Sequence, residues 1–300
     1  MKVGKSLTSV FGRPEKAAYV FIAPSLVILV LFVALPLVCA LVISLTDLNM
    51  FFTKFQFKGL GNYLRALSTS EVRKSFLNTL YFVALSVPFQ LLCGLLVSVA
   101  LVENTQFNRF LRSMFFIPVV CSLTSISLIW SLILDPTIGI LPYWLIGLGL
   151  PRIAFLKDPL LAMPLLAFLT VWKNFGHTMV IMSAGLTGIP PVYYEAARMD
   201  GANKTQQFVR VTLPLLKPTL KFTLITTLIM AMQMFDQAYV TTRGGPMKRT
   251  QTVVMYIFEK AFGGKYELGY ASAVSVLLFV VIIVFSLMGN RLTRSEGDDV

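Results

Sequence analysis

Charge is scarce in this chain: Asp, Glu, Lys and Arg together make up 13% of its 300 residues, roughly half the share of an ordinary soluble protein. Histidine is scarcer still. His177 is the only one, so no His, Cys and Asp cluster has the spacing of a metal site, and a nucleophile would have only that imidazole as its base. The cysteines, Cys39, Cys93 and Cys121, are odd in number and fall within apolar runs, which argues against a disulfide framework and for small inert hydrophobes. A glycine-rich phosphate cradle is missing too. Gly4-Lys5-Ser6 looks like the end of a phosphate-binding loop, but no glycine stands five residues before Gly4 and no strand precedes it, so the tripeptide reads as coincidence and any nucleotide hydrolysis belongs to a partner.

Apolar sequence is abundant, at 56% of the chain with a mean hydropathy of +0.75, which excludes disorder and marks a membrane protein. The 26 basic residues against 14 acidic leave a net charge of +12. Nucleic acid is a weak explanation for that excess, because the basic residues lie between long apolar runs, where they hold loops at a lipid headgroup surface.

A helix needs about 20 mostly apolar residues to cross a bilayer. Six stretches qualify: Tyr19–Thr46, Leu77–Val102, Ser113–Leu134, Leu160–Leu186, Leu215–Val240 and Leu268–Gly289. The first is too long for a signal peptide, lacks a small-residue cleavage pattern and contains Pro24 and Pro36. The runs are too continuous for barrel strands, so the fold class expected is an all-α integral membrane protein of six transmembrane helices. With both ends on one side, twelve Lys and Arg fall in loops on each face, and the positive-inside rule therefore leaves the orientation open. No internal repeat or linker divides the chain. The organisation expected is a tail at 1–18, one six-span domain at 19–290 and a tail at 291–300. Pro88 and Pro118 interrupt spans and are expected to kink them, while Asn78, at the start of the second span, reads as a cap, with an outer-gate residue as the alternative. The piece GLGNYLRAL within the loop Asp47–Phe76 reads as a short interfacial helix, and Asp135–Pro159 as a Pro- and Gly-rich surface loop.

The loop at 190–214, GIPPVYYEAARMDGANKTQQFVRVTLPLLKP with its flanks, is the most informative segment. Pro190 and Pro191 precede a helix start, Gly201 supplies a break, and a second helical stretch with Phe208, Val211 and Leu213 follows, ended by Pro214. Two short helices joined at a glycine make a knob able to enter a pocket on another protein. The bland alternative is an amphipathic loop lying on lipid.

Glu195-Ala196-Ala197, three residues, Gly201, nine residues and Val211-x-Leu213-Pro214 resembles the EAA signature of permease subunits from binding-protein-dependent ATP-binding cassette importers, with Val where Ile is commonest. FKGLGNYLRAL, FFIPVV, VWKNFGHTMVIMSAGLTGIP and the Gly244-Gly245-Pro246 turn are similar to the carbohydrate branch, of the maltose and glycerol-phosphate type. The resemblance covers nearly the whole chain. It implies that the loop is cytoplasmic and, with it, both termini, in a bacterial or archaeal cytoplasmic (inner) membrane. It further implies a second, different permease as partner in a heterodimer, an extracytoplasmic sugar-binding protein, and two cytoplasmic ATP-binding subunits. Those subunits use the ATP and Mg; no cofactor is implied for this chain, and its remaining contact is membrane lipid. Glu195, Ala196, Ala197, Asp200, Gly201, Val211, Leu213 and Pro214 are the implied coupling residues, with Gly201 permitting a turn that a side chain would obstruct.

Polar residues within apolar spans usually face a cavity or another helix. The fourth span carries Lys173, Asn174 and His177, with positions 173 and 177 on one face, and the fifth carries Gln233, Asp236 and Gln237 at helical spacings. Two polar faces of this kind suit a hydrated sugar passage, with Trp172, Phe175, Phe235 and Tyr239 available to stack on sugar rings; they equally suit polar contacts between helices. A Lys173–Asp236 ion pair is conceivable. The function expected is a permease subunit of an ATP-driven sugar importer. Its alternatives are import of glycerol phosphate or another polyol by the same architecture, an ATP-independent secondary transporter or channel, which has no use for an EAA loop, and an intramembrane enzyme.

Overall fold

The computed structural model describes residues 14–53, 55–264 and 266–292; Gly4–Ser6 and most of the two expected tails lie outside them. Among the described residues the secondary structure is helical, with one isolated bridge between Thr46 and Phe57. Five segments are long and apolar enough to cross a membrane: Phe21–Ser44, Ser70–Ala100, Ala162–Thr187, Lys217–Thr241 and Leu268–Asn290. The sixth expected span, Ser113–Leu134, is not a rod. It consists of α5 (Gln106–Val120) and α6 (Leu123–Ile133), bent by 92°. Pro118 lacks an N–H and crowds the Met114 carbonyl, which weakens the last turn of α5, and Cys121 then leaves the helix at φ −68°, ψ 145°.

Prolines explain two further irregularities. A π-helical turn at Val30–Ala34 joins α1 (Pro14–Leu29) to α2 (Leu35–Ser44), and another occupies Phe208–Thr212. Each ends two residues before a proline, Pro36 or Pro214. A proline ring collides with the carbonyl four residues earlier, and a wider turn with i→i+5 bonds carries that carbonyl aside. The Leu35 and Leu213 amides accordingly donate to Val30 O and Phe208 O.

The chain forms two compact units, residues 1–68 with 260–276, and residues 69–259 with 277–300. In the first, the α1–α2 rod is apolar on every side and of Leu35–Ser44 only Ser44 is buried, so its surface requires lipid or another chain. The rod ends in a latch formed by GLGNYLRAL, which folds as α3 (Gly61–Ser68). Buried Asn62 donates to Ser44 O at 2.9 Å and Thr46 O at 2.8 Å, and the Tyr63 hydroxyl meets Ser44 Oγ at 2.6 Å. Arg65 pairs with Glu267 at 3.1 Å and lies 4.2 Å above the Tyr270 ring. Gly269 is required nearby, because a Cβ there would stand 2.0 Å from Thr46 O.

The second unit is organised by α4 (Ser70–Ala100), α8 (Ala162–Thr187) and α12 (Lys217–Met232). Phe82, Val83 and Val87 of α4 share one core with Met163, Leu166 and Ala167 of α8 and with Leu228, Ala231 and Met232 of α12. Between α6 and α8 the chain forms α7 (Ile140–Gly147), a helix within the loop read as Pro- and Gly-rich. Asp135 prepares the turn before it, accepting the Thr137 hydroxyl and the Thr137 and Ile138 amides, bonds that hold its carboxyl below the ordinary carboxylate value. Asn78 is not a cap: α4 begins at Ser70, and the Asn78 amide donates to Lys248 O at 2.8 Å and Gln251 O at 3.0 Å. Small residues set the helix spacing, as is usual in membranes. A Cβ on Gly94 would lie 2.4 Å from Thr178 Cγ2, and one on Gly176 would lie 2.2 Å from Phe115 O.

Two stability changes follow in the detergent-solubilised protein. Asn62→Ala should cost about 1–3 kcal/mol by orphaning buried carbonyls, read as a fall in the thermal midpoint. Gly176→Ala should cost about 1–3 kcal/mol through overpacking against backbone, whereas Gly147→Ala, whose Cβ would meet nothing within 4 Å, should leave the midpoint unchanged or raised; equal behaviour of the two would contradict the close α5–α8 approach.

Candidate functional site

Two helix breaks meet at one cavity. The first is the bend after α5. The second interrupts the fifth span, where α12 stops at Met232, Gln233–Phe235 leave the helix, and α13 (Asp236–Thr241) resumes. Non-helical backbone at membrane depth is tolerated where it is buried in protein or lines a cavity. Here the Met234 carbonyl accepts the Thr252 hydroxyl at 2.7 Å, and the break lines a cavity of about 320 Å³ together with Phe82, Gln90, Leu123, Thr170 and Thr227.

Lys173, Asn174, Gln233, Asp236 and Gln237 all line this cavity. His177 does not; its side chain is exposed, because the lining of α8 runs through Thr170, Lys173 and Asn174 and ends before the next turn, which holds position 177 on the same face. The Lys173–Asp236 ion pair is not formed among the described residues. Lys173 is buried and donates to Val119 O at 3.1 Å. The cause is the broken span: the last carbonyls of α5 have no partner within the helix, and an ammonium there suits the negative helix end. Gln237 is likewise engaged, its Oε1 accepting the Thr170 hydroxyl. Asn174, Gln233 and Asp236 line the cavity and make no side-chain hydrogen bond or ion pair among the described residues.

The aromatic expectation narrows. Trp172 packs edge-on against Trp130 at 5.6 Å and Phe175 against Phe115 at 5.6 Å, so both serve helix packing. Phe235 lines the cavity while stacking on Tyr239 at 5.1 Å. Gln90 and Thr170 are additions. Gln90 donates to Thr178 Oγ1 at 3.1 Å, and its amide in the run LSVPFQLLCG was the signal for it; Thr170, three residues before Lys173, is flagged only by helical spacing.

The EAA segment begins with α9 (Val192–Met199), whose first turn follows Pro191. Glu195 and Ala196 are exposed, Ala197 half-buried and Asp200 exposed. The end of α9 is a Schellman motif: the Gly201 amide donates to Arg198 O at 3.0 Å and the Ala202 amide to Ala197 O at 2.9 Å, with Gly201 at φ +77°. The glycine is needed for that backbone conformation and not for space, because a Cβ there would meet nothing within 4 Å. Asn203 then opens α10 (Lys204–Gln207) with a reciprocal capping box to Gln206. Pro214 does not end the second stretch. It lies in the first turn of α11 (Leu213–Leu215), which leads directly into α12, as a proline at a helix start can. Val211 and Leu213 are half-buried and Pro214 exposed.

Residues 59–295 match the family described as binding-protein-dependent transport system inner membrane component. The chain is 33% identical over 286 residues to the trehalose/maltose transport system permease protein MalF of Thermococcus litoralis, covering 95% of this chain and 96% of that one. It is 30% identical over 289 residues to the sn-glycerol-3-phosphate transport system permease protein UgpA of Escherichia coli O157:H7, covering 95% and 96%. A solved chain from a bacterial alginate ABC transporter, in complex with an alginate pentasaccharide-bound periplasmic protein, has the same fold, with a TM-score of 0.80 over 98% of both chains at 21% identity. With a bundle of membrane-length helices and a family match over most of its length, the chain belongs to the binding-protein-dependent transport system inner membrane components, the multi-pass permease subunits of ATP-binding cassette importers.

Proposed function

We propose that this permease subunit forms half of the passage of an ATP-driven sugar importer and receives the ATPase stroke through α9 and the turns that follow it. In this reading the 190–214 segment and both tails are cytoplasmic, a second permease completes the passage, an extracytoplasmic receptor delivers the sugar, and one of two ATP-binding subunits docks on Ala196 and Ala197, where small side chains allow close approach. The observation that carries it is the cavity at the two helix breaks, with amides and one carboxylate not committed to the fold. Amides suit sugar hydroxyls. The carboxylate of Asp236 repels a phosphate, and Lys173 is already turned to Val119 O, so a neutral sugar fits better than glycerol phosphate. The relatives named for trehalose/maltose transport support the same class.

Uptake by cells carrying the cognate partners, tested on a panel of labelled maltose, trehalose, lactose and glycerol 3-phosphate, examines this reading. Asn174→Ala and Gln233→Ala should each lower uptake by about tenfold, the loss of one or two solute hydrogen bonds, with an unchanged thermal midpoint. Lys173→Met should lower the midpoint as well, because it uncaps α5. Uptake of the sugars at parental rate in both alanine variants would remove the cavity from the pathway.

The elbow is tested through its backbone. A β-branched residue at φ +77° is strained, whereas asparagine tolerates the left-handed region. Gly201→Val should reduce uptake at least tenfold while the receptor still binds sugar, and Gly201→Asn should retain most of it. Parental uptake by Gly201→Val would refute a coupling role for the elbow, and disulfide crosslinking of Ala196→Cys to an ATPase subunit provides the independent check of docking.

A further inference from the structure

Tyr194 differs from its neighbours on α9. Tyr193, Glu195 and Ala196 are exposed, and Met199 is 89% exposed, while Tyr194 packs against the buried cluster of Met182, Leu186, Ile189 and Leu216. Its hydroxyl lies 3.0 Å from Oγ1 of Thr212, which is buried and closes the π-helical turn Phe208–Thr212. That bond is a polar tie from the exposed helix to the base of the fifth span. The span is gripped there firmly: the Thr212 carbonyl accepts the Leu216 amide at 2.9 Å, and Pro214 maintains the wide turn. Beside the tie is unfilled space, a cavity of about 350 Å³ lined by Tyr194 and Thr212 with Val99, Leu186, Lys204 and Phe208. A side chain packed on one side, tied by one hydrogen bond and open to a void on the other has a second position available, and packed elements switch between discrete arrangements where such room exists.

Resting on the coupling role proposed above, we infer that the Tyr194–Thr212 hydroxyl pair is the clasp through which displacement of α9 is passed to the fifth span, making both positioning residues for transport. The ring of Tyr194 supplies the packing that keeps α9 seated. The hydroxyl supplies direction, tying rotation of α9 to the π turn instead of letting the ring slide into the void. Removing a single oxygen should therefore separate hydrolysis from movement without unseating the helix.

The test uses the assembled transporter, purified with its second permease and ATPase subunits, and needs no knowledge of the sugar. A single reporter, Met230→Cys, is placed at the cavity lining in a background with Cys39, Cys93 and Cys121 replaced by serine, and its labelling rate by a methanethiosulfonate reagent is measured with and without MgATP and vanadate. Tyr194→Phe and Thr212→Val are expected to lose the nucleotide-dependent change in rate while ATP hydrolysis and co-purification of the ATPase persist. Thr212→Ser, which restores a hydroxyl, is expected to keep the change. A parental response in Tyr194→Phe and Thr212→Val overturns the clasp. Loss of the ATPase from both variants overturns it as well, since the pair would then build the docking surface and not transmit through it. Absence of any nucleotide response in the parent reporter protein instead overturns the coupling reading on which the clasp rests.

Discussion

Within a bilayer a backbone amide or carbonyl has no water to turn to, so every helix end and every break must find its partners inside the protein. That constraint accounts for more of this structure than hydrophobic burial does. The rod Phe21–Ser44 ends where Asn62 takes two carbonyls. The bend after α5 is answered by Lys173 on Val119 O, and the break after α12 by Thr252 on Met234 O. Each irregularity comes with a named receiver. The two that meet at one place, after α5 and after α12, leave between them the polar cavity that a solute would need.

The same accounting explains which polar residues are structural. A lysine and two glutamines in apolar helices look alike in sequence, as candidates for a passage. In the structure Lys173 and Gln237 have partners, and Asn174, Gln233 and Asp236 face the cavity without them. Insertion of a charge into a span costs about 3 kcal/mol. For Lys173 the capped helix end offsets that cost. Asp236 stands in the first turn of α13, where the positive helix end favours a carboxylate, and its side chain lines the cavity with no hydrogen-bond or ion-pair partner among the described residues.

Much of this was legible in the residues. The apolar runs located five spans, four of them to within two residues at each end, because a continuous run of about 20 apolar residues has only one stable arrangement in lipid. The helix after Pro191 and the turn at Gly201 followed from the local chemistry of proline and glycine, and the short helix within GLGNYLRAL from its amphipathic pattern. What escaped depended on contacts distant in sequence. Ser113–Leu134 is apolar enough to span, and only its encounter with α8, at Gly176 and Lys173, makes a 92° bend affordable. His177 and Lys173 share a helical face by spacing, yet the cavity reaches Thr170, Lys173 and Asn174 and stops short of His177. Asn78 resembled a cap because its span was started seven residues late, in a stretch too polar to count as membrane-embedded.

The glycine of the EAA segment shows why residue spacing identified the element but not its mechanics. Space around Gly201 is open, so the position is held by backbone sign alone, and the capping box at Asn203 fixes the next turn within two residues of it. A knob built this way is stiff in itself. Any movement it passes on must be taken up where it meets the spans, and that is where the regular helix gives way: a π turn forced by Pro214, a tyrosine held by one hydroxyl, and an unfilled volume beside it. In the coupling role proposed above, a stiff knob with room at its root suits a lever, since a flexible knob would absorb displacement and a fully packed root would block it.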